Sequence, residues 1–204
     1  MYFEYGDKEI EYLKSRDKKL CEVINKFGHI NHEVDTNLFS AIAYLIIGQQ
    51  ISTKAQQAVW KRVTSNLACI DAKSVIDAGA DVLHSCGVSS RKTEYIMNCA
   101  FKVKNGEFDL SHIAGKTDEE IIKELTKLKG IGVWTAETLL LFSFMRKNVF
   151  IYDDLGIQRG LRVIYHHKKI SREIFEKYRR RFTPYCSVAS IYLWAAADNK
   201  EMRI

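Results

Sequence analysis

Two stretches carry the residues with chemical capacity. In VFIYDDLGIQRG, residues 149–160, the carboxylates Asp153 and Asp154 stand together at the head of a segment with helical apolar spacing. A carboxylate there accepts the free N–H groups of a first turn, so both read as helix caps. In LKGIGVWTAETLLLF, residues 128–142, Gly130 and Gly132 flank Ile131 between two helical patterns. Glycine lets a backbone lie flat and be approached closely. Outward-pointing N–H groups beside a helix N-terminus can receive a phosphate without touching a base. A tight structural turn would use the same residues. Trp134 stands two positions beyond Gly132, where a working turn would call for a polar side chain.

Charge points the same way. The 204-residue chain carries a net +6, and residues 155–183 hold nine Lys/Arg (Arg159, Arg162, Lys168, Lys169, Arg172, Lys177, Arg179, Arg180, Arg181) against Glu173 and Glu176, a local +7. That concentration favours an anion-facing surface over an evenly solvated helix face. The five cysteines are odd in number, scattered and without a CxxC, as expected of reduced core thiols rather than a disulfide framework or zinc site. His166-His167 reads as basic surface, since helix neighbours do not face one way. The N-terminus does not resemble a signal peptide. The longest apolar run, Leu38 to Ile47, is interrupted by Ser40 and too short to span a membrane, so no membrane partner is expected.

The elements that must position these residues read as helices almost throughout, with no alternating strand pattern. Leu13, Leu20, Val23, Ile24 and Phe27 fit one apolar face ending at Gly28. Leu38–Ile47 is a buried helix, and the connector GQQIST leads to another over 54–63, with Thr53 as its cap. Helices follow over 71–77 and 82–86, the second capped by Asp81, and over 91–104 behind Ser89 or Ser90. Thr117-Asp118-Glu119-Glu120 is a capping box. It opens a helix that turns Ile121, Ile122, Leu125 and Leu128 inward and runs into the GIG turn. Residues 134–144, 155–165, 171–182 and 187–197 complete the set. The fold class is therefore all-α.

Asp154 lies twenty-two residues beyond Gly132, a gap filled by one helix and a return loop. This spacing, with LKGIGVWTAETLLLFS, VFIYDDLGIQRG, GQQISTKAQQAVWKR and CGVSSRKTEYI, closely resembles the helix-hairpin-helix (HhH-GPD) DNA glycosylases, the 3-methyladenine DNA glycosylase II type in particular. The resemblance covers roughly residues 38–194. It implies a single two-lobed helical unit spanning 1–204 with the active site between the lobes. One lobe takes in about 35–150, including the hairpin at 126–136; the other takes in about 1–34 and 151–204. It implies Asp154 as the catalytic residue, with Asp153 structural. The family's usual proline is missing from the preceding loop, where Tyr152 stands.

Superfamily members that also cut the backbone carry a nucleophilic lysine two residues after the second glycine. Trp134 fills that place, which implies a monofunctional enzyme using water. In the mechanism that follows, Asp154 stabilises an oxocarbenium-like sugar while an alkylated purine, already a good leaving group, departs. The match makes Trp134, Trp194, Phe142, Ser143 and Tyr44 the base pocket, where aromatic faces would stack on a flipped cationic base. Phe3 and Tyr5 are weaker candidates. The loop Gln49, Gln50, Ile51, Ser52 would contact DNA. Gln50 or Ile51 would plug the gap left by the flipped base, and the sequence does not choose between them. Gly130, Ile131, Gly132 and Trp134 would meet phosphate, helped by Ser90, Arg91, Arg159 and Arg162. Related hairpins hold Na+ or K+ on backbone carbonyls, here Thr126, Leu128 and Ile131. No iron–sulfur cluster or other cofactor is expected, since Cys186 stands alone near the C-terminus. The implied partner is damaged double-stranded DNA, met by a monomer in a bacterial-type cytoplasm, at the nucleoid, or in a nucleus if the source is eukaryotic. Two other readings stay open: a glycosylase for an oxidised base such as 8-oxoguanine, and a non-catalytic helix-hairpin-helix DNA-binding module.

Overall fold

A computed structural model describes residues 1–199. Among these the chain forms eleven α-helices, one 3-10 turn and no sheet; an isolated antiparallel bridge pairs Tyr2 with Glu33. The chain divides into two compact units. The terminal unit combines Met1–Val34 with the chain from Met145 onward, and the central unit is Asp35–Phe144.

The terminal unit holds α1 (Asp7–Arg16), α2 (Lys18–Phe27), α9 (Leu155–Tyr165), α10 (Arg172–Phe182) and α11 (Cys186–Asp198). The single apolar face expected up to Gly28 is broken into two helices at Asp17. This residue is extended (φ −151°, ψ 113°), and its side chain accepts the Leu20 N–H, so it ends α1 and caps α2. Helix α11 is apolar nearly all round and buried, as a central helix must be. It packs tightly on α9 because Gly160 has no side chain: a Cβ there would run into the Leu193 carbonyl.

The central unit holds α3 (Leu38–Gly48), α4 (Thr53–Asn66), α5 (Ala72–Ser85), α6 (Ser90–Lys104), α7 (Asp118–Leu125) and α8 (Val133–Phe142). The cap of α4 is Ser52, whose hydroxyl accepts the Ala55 N–H, rather than Thr53. The two short helices expected over 71–86 follow one another as α5, broken at the non-helical Gly79 (φ +79°, ψ 172°); Asp71 caps the first by accepting the Ser74 N–H. The capping box at Thr117 and Glu120 forms as its residues require, with bonds in both directions. Helix α8 begins one residue earlier than its pattern suggests and ends at Phe142, because Ser143 takes the C-cap. No helix among the described residues is long and apolar enough to cross a membrane.

Candidate active site and phosphate-binding hairpin

Asp154 is the N-cap of α9. Its Oδ1 accepts the Ile157 N–H at 2.8 Å and the Trp194 indole N–H at 2.9 Å. Oδ2 accepts no hydrogen bond among the described residues, so the carboxylate is fixed by one oxygen and offers the other. The second bond depends on glycine. A Cβ on Gly156 would lie 2.5 Å from Trp194 Cδ1 and 3.1 Å from Asp154 Oδ1. With Gly160 one turn on, bare backbone lets α11 approach until its indole reaches the carboxylate. Trp194 also stacks on His32, with ring centroids 5.7 Å apart and 30° between planes. Asp153 is exposed and belongs to the turn before α9.

The loop without its proline is held by side chains. Gln158 Nε2 donates to the Tyr152 carbonyl at 2.6 Å. The Tyr152 ring meets Phe175 edge-on at 5.2 Å and carries the Arg172 guanidinium 4.4 Å from its centroid. The weaker aromatic candidates of this unit have other work. Phe3 is 3% exposed and belongs to the core. Tyr5 accepts the Ile30 N–H, donates to the Ile30 carbonyl and stacks on His29.

In the central unit the hairpin joins α7 to α8. Gly130 has φ +87°, and a Cβ there would run into the Tyr95 ring, so this glycine is required by the unit itself. Gly132 is different. At φ −93° and ψ 177° it suits any residue, and nothing lies within 4 Å of the position a Cβ would take. As N-cap of α8 it supplies no side chain to the first turn. The N–H groups of Gly130, Gly132 and Trp134 find no acceptor among the described residues. Free donors at the positive end of a helix dipole form a site for an anion. Trp134 is 38% exposed and Val133 is exposed beside it, so core packing does not explain the tryptophan.

Supports that the sequence reading missed hold this turn from α6 and from the α3–α4 connector. Gln49 Nε2 donates to the Gly130 carbonyl at 2.8 Å, Lys129 pairs with Glu94, and Tyr95 packs on Gly130. Gln49 is thus a brace for the hairpin. The next residue, Gln50, is a non-glycine at φ +57° whose amide oxygen takes Arg91 Nη2 at 3.3 Å. Ile51 is 40% exposed. Ser52 spends its hydroxyl on the α4 cap, and Ser90 opens α6 behind its N-cap, Ser89. Phe142 ends α8. The Ser143 hydroxyl after it is buried with no hydrogen-bond partner among the described residues, an arrangement that asks for a ligand or water. Tyr44 packs edge-to-face on Trp60 at 5.2 Å, and burial raises its pKa.

The basic stretch is less uniformly free than its count suggests. Arg181 pairs with the buried Asp17, Arg179 with Glu176, and Arg172 lies on Tyr152. Arg159 and Arg162 are exposed on α9. His167 is not bare surface, because Nε2 meets the Tyr178 hydroxyl at 2.9 Å.

A hairpin bearing free N–H groups and, further on, a capped aspartate braced by an indole set the terms for comparison with known proteins. The family profile described as HhH-GPD superfamily base excision DNA repair protein matches residues 43–184. The chain belongs to this superfamily. Among HhH-GPD relatives, the DNA-3-methyladenine glycosylase of Saccharomyces cerevisiae is 31% identical, over 92% of this chain and 78% of the relative. A DNA-3-methyladenine glycosidase from Bacillus halodurans superposes with TM-score 0.81 at 31% identity, over 98% of this chain and 93% of that one. The 3-methyladenine DNA glycosylase Mag1 of Schizosaccharomyces pombe, solved with abasic DNA, gives TM-score 0.84 at 26% identity, over 95% and 98%. The HhH-GPD glycosylase fold expected from the sequence is therefore the fold of this chain.

Proposed function

We propose that the protein is a monofunctional DNA glycosylase of base excision repair, hydrolysing the N-glycosidic bond of alkylated purines of the 3-methyladenine type flipped from damaged duplex DNA. The observation that carries this reading is the Asp154 carboxylate, with Oδ1 anchored by Ile157 and Trp194 and Oδ2 left to act. As the bond from C1′ to the base nitrogen breaks, its electron pair leaves with the base, and positive charge builds on the sugar. A fixed carboxylate stabilises that charge without reorganising. Water then adds to C1′ and loses its proton through Asp154, giving a free base and an apurinic site.

DNA phosphate docks on the N–H groups of Gly130, Gly132 and Trp134, with Arg159 and Arg162 adding charge. Gln50 and Ile51 are the plug, and the left-handed backbone of Gln50 supports this, since strained loop residues cluster at working sites. In the central unit Trp134, Phe142 and the unpartnered hydroxyl of Ser143 are the candidates to contact the base, with Tyr44 held edge-on by Trp60; in the terminal unit the candidate is Trp194. The carbonyls of Thr126, Leu128 and Ile131 sit at the C-terminal end of α7 and in the turn, the Leu128 oxygen accepting the Ile131 N–H at 3.1 Å. They would hold a monovalent cation that rigidifies the hairpin. The reaction itself needs no cofactor, and one monomer suffices for one flipped base.

The relatives' names support alkylated over oxidised bases. Trp134 in place of a lysine removes the Schiff-base route of a bifunctional enzyme. A pure DNA-binding module has no use for an oriented carboxylate that phosphates would repel. The test is release of methylated purines from alkylated duplex DNA. Asp154→Asn is expected to abolish release while DNA binding persists, and borohydride is expected to trap no covalent complex. Undiminished excision by Asp154→Asn refutes the mechanism, and a trapped complex refutes the monofunctional assignment.

A further inference from the structure

We propose that His32 is a positioning residue for excision, holding the Trp194 indole in the orientation that donates to Asp154. The proposal rests on the assignment of Asp154 above. A tryptophan side chain is not locked by its own rotamer preferences, because its outer torsion has broad wells. Gly156 meets the Nε1–Cδ1 edge of the indole, but bare backbone sets only the closest approach on that side. The His32 ring stacks on the indole at 5.7 Å. If it were removed, the indole could swing from Gly156, and Oδ1 would keep only the Ile157 N–H.

His32 lies outside any helix, in the segment between α2 and Val34, yet its backbone is fixed. Phe3 N–H donates to the His32 carbonyl at 2.8 Å, Val34 N–H donates to the Met1 carbonyl at 2.9 Å, and Tyr2 bridges Glu33. Phe3 itself is buried, which anchors the arrangement in the core of the terminal unit. The N-terminal residues, peripheral in sequence, thus reach the catalytic carboxylate through two stacked rings.

The choice of ring also matters. Burial lowers the pKa of His32, against the pull of the neighbouring Glu33 carboxylate, so the imidazole is neutral near pH 7. A neutral ring packs the indole without setting a second cation beside the one that forms on the sugar. Lysine or arginine would oppose the reaction there.

Three variants separate positioning from plain structure: His32→Ala, His32→Gln and His32→Phe. Each is assayed for single-turnover excision from methylated duplex at saturating enzyme, for affinity to the same duplex, and for melting temperature. Wild type and Asp154→Asn run alongside. Ala and Gln are expected to lower the excision rate about tenfold or more, as small misplacements of catalytic groups do, with affinity unchanged. Phe, which keeps an uncharged aromatic ring stacked on the indole, is expected to restore most of the rate. If Ala and Gln match the wild type while Asp154→Asn is inactive, this proposal falls and the assignment of Asp154 stands. A loss of affinity and stability in step with rate, not rescued by Phe, also overturns it. An active Asp154→Asn enzyme overturns both.

Discussion

Replacing Trp194 by Phe deletes one hydrogen bond to Asp154, the carboxylate proposed as catalytic, and keeps most of the aromatic surface. The indole N–H lies 2.9 Å from Asp154 Oδ1, and only the Ile157 N–H shares that oxygen. A hydrogen bond to a charged group is worth about 1.5–3 kcal/mol. Its loss acts on the orientation of Oδ2, through which the sugar cation is met, so most of it should appear in the barrier. At about 1.4 kcal/mol per decade, the excision rate falls about 10- to 100-fold. Ground-state DNA binding makes no use of this bond, so affinity for undamaged duplex should hold. Phe still fits the notch above Gly156, which limits the change in melting temperature to a few degrees, about 1 kcal/mol. The assay is single-turnover release of a methylated purine at saturating enzyme, with fluorescence anisotropy on undamaged duplex and a thermal melt as controls. Wild-type excision by Trp194→Phe would refute the claim that the indole orients the carboxylate. A rate loss matched by an equal loss of affinity would refute the claim that it acts on the transition state.

The two hairpin glycines should behave oppositely. Gly130→Ala forces an L-residue to φ +87° and a methyl into Tyr95; calorimetry should find about 2–4 kcal/mol lost. Gly132→Ala meets no neighbour, so stability should stay within about 1 kcal/mol, while anisotropy shows duplex affinity about tenfold weaker because a methyl blocks phosphate approach. Glu9 accepts from Lys147 Nζ at 2.9 Å, which holds its carboxyl below the usual range despite burial. A depressed carboxylate contributes stability above its unfolded pKa and loses it as pH falls through the folded value. The melting-temperature gap between wild type and Glu9→Gln should therefore be full at pH 6 and shrink as pH falls through the carboxylate range; a gap that does not depend on pH would count against the pair.

The helices were legible because their signals are local. Thr117 with Glu120, and Asp154 before α9, each sit within three residues of the N–H they cap. The hairpin and the capping aspartate proposed here as catalytic stand out in the sequence because their spacing within one chain is unusual. What the sequence withheld was longer in range. Gln49 and Gly130 are 81 residues apart, and Trp194 and Asp154 are 40 apart. A glutamine in a polar connector and a tryptophan in an apolar helix carry no mark of such partners. Gly156 and Gly160 offered a usable signal, since two glycines one turn apart on a helix invite close packing. Asp17 also misled the helix pattern: its neighbours keep apolar periodicity, and only the capping bond to Leu20 shows why the chain turns there.

The missing proline shows how one constraint is replaced by another. Proline before a catalytic aspartate would fix φ and cut the freedom of the unfolded loop. Tyr152 does neither. Here rigidity comes from the folded side: Gln158, one turn into α9, ties back to the Tyr152 carbonyl, and the ring lies against Phe175 with Arg172 over its face. Both Gln158 and Asp154 belong to the start of α9, so the helix that orients the carboxylate also anchors the loop leading to it. This makes the loop's order depend on α10 remaining docked. Arg172, counted at first as one more cation for DNA, also serves that anchor. A basic residue whose guanidinium lies on Tyr152 thus stiffens the approach to Asp154.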